Sequence, residues 1–479
     1  PKTDFSFSDP VENIPVEFLG EDLTITDDEI TAWDWDFGGL GTADIQNPSF
    51  TFLVTEDILV ELTVATLQGC SETIQKTLSV QSAIEPTVSF STVSSPSCIG
   101  ENIPLSNNSI NAQAYFWDFC PQSYLSSSSI LFSNDISEVD AIYDLAMASY
   151  GETAFAFVSD YNNDDIARIS FSDFPNIDAT DFLTTGISAP KGIKMFETKG
   201  NWWAIVTNND NDVFRLSFGD DLNTEPSVEL IDNYGISDLR SLDIIQNDSG
   251  DIYAIIAGGG TGSRVIVLDF GDAISNTPSA KIHTTSGAYP SDVALVHESE
   301  NWFAILSTVG SGPFILDFGN DIMVNSPTIT PITGIGKSAG VVIKQDETGY
   351  AAFFATTTSA DIYRAQFGTS INNPNPTIEN LGDYNTLSTT IGLDLLYHEA
   401  SYALMAGTLN DQNLTAISFE KNCEVSQLSS QETAPTNIRY SATGSYPVTL
   451  TAYNEQGIER AYYHNIEVNS SSAPNISFS

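Results

Sequence analysis

Between residues 143 and 419 the chain repeats itself with a period of about fifty residues. Apolar strand starts recur at Leu145, Ile193, Leu242, Val293, Val341 and Leu393. Each is followed by a second apolar run: TAFAFVS, NWWAIVT, DIYAIIA, NWFAILS, AAFFATT and SYALMAG. A third run reaches a Phe, as in FRLSFGD and ILDFGND, and a Pro-containing turn leads to a fourth, such as Ser227 to Ile231. Four strands per unit and six units predict a six-bladed β-propeller. The last unit lacks its fourth strand, because the chain leaves at Phe419 for Cys423. Ser127 to Met147 parallels Pro226 to Ile245, so Ile130-Leu131-Phe132 is expected to complete the sixth blade. A ring closed in this way brings its two chain ends together.

Residues outside the repeat carry a different pattern. AWDWDFGG (Ala32 to Gly39) is followed by Asn47-Pro48-Ser49-Phe50-Thr51-Phe52 and by Leu59-Val60-Glu61-Leu62-Thr63-Val64. AYFWDFC (Ala114 to Cys120) begins a second copy that breaks off, and Gly444 to Ala452 (GSYPVTLTA) supplies its other half. These short alternating strands suggest immunoglobulin-like sandwiches. The motifs resemble those of the PKD domain family, W-x-W-D-F-G-D-G, N-P-x-h-x-Y and V-T-L-T-V. Departures are Gly39 where the family often has Asp, and Phe52 where it often has Tyr. The expected organisation is all-β: 1–82, PKD-like sandwich 1; 83–120 and 423–470, the two halves of sandwich 2; 121–422, the inserted propeller; 471–479, the start of a further repeat. Trp35 and Trp117 are expected as core anchors, with Asp36 and Asp118 in structural roles, Asp36 organising the turn after its strand.

The resemblance implies a secreted or cell-surface protein of Bacteroidota type, in which such domains run in tandem as stalks. It further implies type 9 secretion and an adhesin role, gliding-motility adhesins included. Pro1 is no initiator, and the chain reads as a mature or excised piece whose targeting segment has been removed. Of the four cysteines, Cys120 and Cys423 stand at the two mouths of the insertion, and a disulfide between them is expected. Cys70 and Cys98 either pair with each other or stay free.

Composition narrows the partners. The chain has 63 acidic and 16 basic residues, a net charge of −47, which disfavours nucleic acid. No apolar run reaches the length of a membrane span, so no membrane insertion is expected. The four histidines are scattered, and H-E-x-x-H, G-x-S-x-G, P-loop and sialidase-type boxes are missing. Trp202, Trp203 and Trp302 read as blade packing. The recurring F-G-D/N reads as a tight turn. The clusters Asp160–Asp165 and Asn208–Asp212 read as hairpin turns, with calcium on Asp160, Asp164, Asp210 and Asp212 as the alternative. No other cofactor is expected.

Lys191, Arg240 and Lys337 each precede a blade's first strand, and Tyr234, Tyr289 and Tyr384 lie in the same connections. Together they form the candidate site for an anionic or glycan ligand, or for a surface protein. The first functional expectation is a non-catalytic extracellular adhesion or binding module, with the sandwiches as stalk and the propeller as display domain. The alternative is a secreted glycan-active enzyme, a hydrolase or lyase, using carboxylates in the propeller channel. A purely structural stalk or filament component is the second alternative.

Overall fold

The computed structural model describes all residues except 9, 12–14, 25–29, 53, 82–85, 93–96, 121–123, 125, 152, 248, 260–261, 286–288, 347–348, 399–400, 410–411, 421–422, 455–458 and 471–479. The proposed onset of a further repeat at 473–478 lies outside the described residues. Every element among the described residues is a β-strand, and no helix is long and apolar enough to cross a membrane. The chain divides into two compact units, one built from Pro1–Phe119 with Ser426–Ser479, the other from Cys120–Val425.

The second unit is a β-propeller. Among the described residues it contains six four-stranded antiparallel sheets. Five are consecutive in sequence, and their first strands are Ile142–Tyr150, Pro190–Thr198, Leu239–Gln246, Pro290–Glu298 and Ser338–Asp346. The sixth joins Thr390–His398, Ser401–Thr408 and Asn413–Phe419 to Ser128–Asp135 from the unit's own beginning. Ser128 pairs with Phe419 and Ile130 with Ile417, after which a bulge at Leu131 shifts the register. The first strand of each blade lies against that of the next, and the sixth against the first, which closes the ring. Cys120 and Cys423 form a disulfide, with Cα atoms 5.7 Å apart, that ties the two ends of this unit.

Sequence explains each layer of a blade. The second strands are packed on both faces, so runs such as NWFAILST are apolar almost throughout and buried from Trp302 to Thr308. The outermost strands face water, and Ser227–Asn233 is exposed along nearly its whole length. After the third strands, Gly271 and Gly319 adopt φ of +67° and +65°, a conformation glycine enters without a Cβ penalty. Asp269 Oδ1 and Asp317 Oδ1 accept their amides, each at 2.9 Å. The F-G motif is therefore a turn.

Buried arginines on third strands fasten neighbouring blades. Arg168 donates through Nη1 to the carbonyls of Leu222 (2.7 Å) and Thr224 (2.8 Å), and through Nη2 to Asp181. Arg215 makes the same set with Ile274, Asn276 and Glu229, and Arg364 with Tyr124, Ser126 and Glu379. A guanidinium can satisfy three acceptors at once, which a lysine could not do in a plane.

In the first unit, the sheet Thr3–Phe7, Pro15–Asp22 and Ser49–Thr51 shares one core with the sheet Thr42–Ala43, Ile30–Phe37, Asp57–Thr66 and Ser71–Ser79. Trp35 is fully buried there, edge-on to Phe5 at 5.1 Å, and its indole N–H donates to Ile45 O at 2.9 Å. Asp36 Oδ1 accepts the Gly39 amide at 2.6 Å and so shapes the turn after its strand. A further sheet pairs Ala114–Asp118 with Gly444–Tyr453, joining segments from either side of the second unit. Trp117 is buried, donates to Glu432 O at 2.9 Å and meets Phe90 edge-on at 5.0 Å. Asp118 lies beside it and is also buried. Cys70, exposed, and Cys98, half-buried, are free thiols.

Candidate functional site: the acidic channel of the propeller

The innermost strand of a propeller blade is a sheet edge, and its outward-facing amides need partners. This chain supplies them with aspartates. Asp144 accepts its neighbour's amide, Leu145 N, at 2.9 Å and that of Ile193 on the next blade at 3.2 Å. Asp243 does the same with Ile244 (2.9 Å) and Leu295 (2.8 Å), and Asp292 with Val293 (2.8 Å) and Val341 (2.6 Å). Asp394 takes Met147 N at 2.8 Å across the ring closure. Each carboxylate thus bridges two first strands.

All four line one cavity of about 270 Å³ in the channel, together with Lys194, Ser241 and Lys344. Two groupings exist within it. Lys194 Nζ lies 2.8 Å from Asp394 Oδ1 and 3.7 Å from Asp243 Oδ1. Burial alone would lower the Lys194 pKa, but the two carboxylates outweigh it and hold the ammonium above the usual lysine range. Burial raises Asp243 against the lowering effect of the Lys194 ammonium and of the two amides it accepts.

The second grouping is Asp144, Ser241 and Asp292. Ser241 Oγ donates to Asp144 Oδ2 at 2.6 Å, and Ser241 and Asp292 line the same cavity. Burial pushes Asp144 up to about 7, against the lowering effect of Ser241 and the two backbone amides. Asp292 is raised by burial and then by the Asp144 charge. Two like charges this close do not both ionise readily in a dry site. Burial and the repulsion between the two charges therefore both favour protonation within this grouping.

The residues expected to bind a ligand fall in several places. Lys191 is buried, with Nζ 2.8 Å from Asp238 Oδ1. Arg240 reaches Asp238 Oδ2 through Nη2 (2.9 Å) and Nε (3.1 Å). Those two come together. Lys337 is exposed, as is Tyr289, at 57%. Tyr234 packs against a core cluster, and burial lifts its phenol to about 12. Tyr384 also packs inward, its hydroxyl 2.6 Å from Ser128 Oγ. The six residues are not one ring.

The expected calcium aspartates organise turns. Asp160 is buried and accepts the amides of Asp140 and Ala141, each at 3.0 Å, and the Asn163 side chain at 2.8 Å. Asp164 accepts Ala189 N at 2.7 Å. Asn233 Nδ2 ties the Asp210 carbonyl (3.1 Å) to Asp212 Oδ1 (3.0 Å). Among the described residues no three His, Cys, Asp or Glu side chains are grouped so as to hold a metal ion.

No family model matches the chain, and no curated protein matches it in sequence. Among solved structures, the PKD1 domain of Vibrio anguillarum Epp aligns at 22% identity over 17% of this chain and 98% of its own, with a TM-score of 0.15. A GH43_1 enzyme from Xanthomonas citri, complexed with xylotriose, aligns at 11% identity over 48% of this chain and 86% of its own, with a TM-score of 0.34. The subtype N10 neuraminidase-like protein of A/little yellow-shouldered bat/Guatemala/060/2010 aligns at 12% identity over 61% and 99%, with a TM-score of 0.39. At these identities the likeness concerns the fold alone.

These findings correct the first functional expectation, a module with no catalytic activity. Glycoside hydrolases stand among the structures similar to this chain. The channel itself holds four carboxylates, with Asp144 and Asp292 both raised by burial, where sequence motifs alone pointed to no chemistry.

Proposed function

We propose that the propeller is a glycan-active enzyme, a hydrolase whose acid and base are the Asp144–Asp292 pair. One observation carries this reading: two buried carboxylates, Asp144 and Asp292, line one cavity beside the Ser241 hydroxyl, and burial raises both. Glycosidic hydrolysis needs that combination, a carboxylic acid to protonate the departing oxygen and a carboxylate to act on the other side. The proton passes to the glycosidic oxygen as its bond to the anomeric carbon breaks. Water delivers hydroxide to that carbon and returns its proton to the pair. The cavity, at about 270 Å³, is slightly under the usual lower bound of about 300 Å³ for ligand pockets and suits a single sugar ring.

The rest of the chain belongs to the same proposal. Residues 1–82 and the paired segments 83–120 and 423–470 are PKD-like, immunoglobulin-type sandwiches, with 121–422 as the insertion and 471–479 as the start of a further repeat. The buried Trp35 and Trp117 and the Asp36 turn support this assignment. Secretion to an oxidising, extracellular setting is supported by the Cys120–Cys423 disulfide.

The test is release of reducing ends from a panel of plant, algal and bacterial polysaccharides by the full chain, beside Asp144→Asn and Asp292→Asn. Each variant should lose at least about 100-fold in kcat, the scale of acid–base assistance, while remaining folded at the assay pH. Turnover that survives both substitutions, or no turnover across the panel, sinks the proposal.

A further inference from the structure

Directly beside the acid pair lies a second, smaller cavity of about 30 Å³, lined by Tyr143, Arg240, Ser241, Ser291, Val309, Ala339 and Ile391. Ser241 borders both spaces. The smaller one has the volume of a single water molecule's share of the liquid, about 30 Å³, which is also the size of a carboxylate group.

Two of these lining residues, Arg240 and Tyr143, belong to a closely fitted cluster with Asp238 and Lys191. Asp238 adopts φ +61°, and its two oxygens are divided between Lys191 and Arg240. Gly259 presses against this contact: a Cβ there would stand 2.7 Å from Asp238 Oδ2 and 2.9 Å from Arg240 Nε. The Lys191 ammonium lies 5.7 Å from the centre of the Tyr143 ring and 5.9 Å from that of Tyr161, and the two rings are 5.5 Å apart.

Charge is what singles this cluster out. Two cations share one carboxylate, so the cluster keeps a surplus of one positive charge inside a chain of net charge −47. Asp238 takes bonds from Nε and Nη2 of Arg240. Among the described residues, neither Arg240 Nη1 nor the Tyr143 hydroxyl has a protein hydrogen-bond partner. Burial holds that phenol up at about 12, so it keeps its proton and can donate. A guanidinium edge and a phenol beside a carboxylate-sized space are complementary to a carboxylate, and the surplus charge matches a monoanion.

We infer that this small cavity is a subsite for the carboxylate of an acidic sugar, a uronic acid residue, held by Arg240 and Tyr143 while its ring occupies the adjoining channel cavity. The inference rests on the proposed glycan activity for the reaction of the bound sugar, but the subsite is tested without turnover. A carboxylate here sits next to a pair that burial pushes toward its neutral form, which limits the repulsion between them.

The probes are free glucuronate and galacturonate, with glucose and galactose as neutral counterparts, titrated into the full chain and monitored by saturation-transfer NMR and calorimetry. Each uronate should bind at least about tenfold more tightly than its neutral partner, the worth of hydrogen bonds to a charged group. Arg240→Gln should erase that preference and leave the neutral sugar's affinity in place. Tyr143→Phe keeps the ring and the packing, and should weaken uronate alone by severalfold, which covers the case of a poorly folded Arg240 variant. Equal affinity for charged and neutral sugars, no uronate binding at all, or an Arg240→Gln protein that folds and retains the preference overturns the subsite. Uronate binding by a chain that cleaves no glycan sinks the activity and leaves the subsite standing. Cleavage of polyuronides that is indifferent to Arg240 and Tyr143 does the reverse.

Discussion

Replacing Lys194 by Met removes the cation placed between two buried carboxylates of the channel. Its ammonium lies 2.8 Å from Asp394 and 3.7 Å from Asp243. At an effective dielectric near 20 these contacts correspond to about 6 and about 4 kcal/mol of attraction. The loss does not appear in full. With the lysine gone the acids take up a proton, and the remaining penalty is the about 3–5 kcal/mol typical of a buried pair deprived of one partner. Lys194 is 22% exposed, and the space it faces is the channel cavity, so the lower half of that range is expected. A second substitution makes the reasoning sharp. Asp394→Asn keeps an acceptor for Met147 N and deletes one stranded charge, so the Lys194→Met/Asp394→Asn protein should recover at least about half of the loss. Hydrogen exchange of the blade-centre amides in Thr153–Asp160 and Asn301–Thr308 reads the opening free energy of this unit alone. A loss under about 1 kcal/mol, or a double variant no more stable than the single one, refutes the assignment of Lys194 as the counter-charge of the channel.

Two further outcomes are expected. Asp144 has a folded pKa of about 7 against 3.8 unfolded, so the folded chain keeps a proton that the unfolded chain releases. That contribution is complete below the unfolded value and fades as pH rises through 7. Between pH 5 and pH 8 the wild type should therefore lose about 3 kcal/mol relative to Asp144→Asn, seen in the same exchange experiment; parallel pH curves for the two proteins count against it. The Cys120–Cys423 bond closes a loop with a sequence separation of 303. Cys120→Ser/Cys423→Ser should lower the propeller's stability by about 2–5 kcal/mol, and an unchanged thermal transition would mean that ring closure through Ser128–Asp135 suffices alone.

Much of the propeller is legible from pattern. The fifty-residue period exposes the repeat, and the likeness of Ser127–Met147 to Pro226–Ile245 places the closing strand. The cysteines flanking the insertion point to their own bond. The channel is harder to read, for a physical reason. Asp144, Asp243, Asp292 and Asp394 are four of 63 acidic residues, and their weight depends on which way each side chain points. The first strands carry a register shift near their start, as between Ile142 and Asp144, Leu239 and Leu242, or Pro290 and Asp292. One inserted residue reverses the faces of a strand, so alternation counted from the preceding loop misdirects Asp144. Lys191 reads as a loop cation because it precedes the apolar strand start at Ile193; the strand in fact begins at Pro190, and the side chain is enclosed beside Asp238. A usable signal did exist: Asp precedes the strand-start residues Leu145 and Val293, and Ser precedes Leu242.

The most direct test of the account is a carbon-detected NMR titration of the aspartate carboxyls, with Asp144→Asn and Asp292→Asn supplying the assignments. The account predicts that both carboxyls titrate above the ordinary aspartate range, Asp144 near 7, and that Asp292 moves down once Asp144 carries no charge. Two carboxyls that are both ionised by pH 5, and indifferent to each other's replacement, would contradict it.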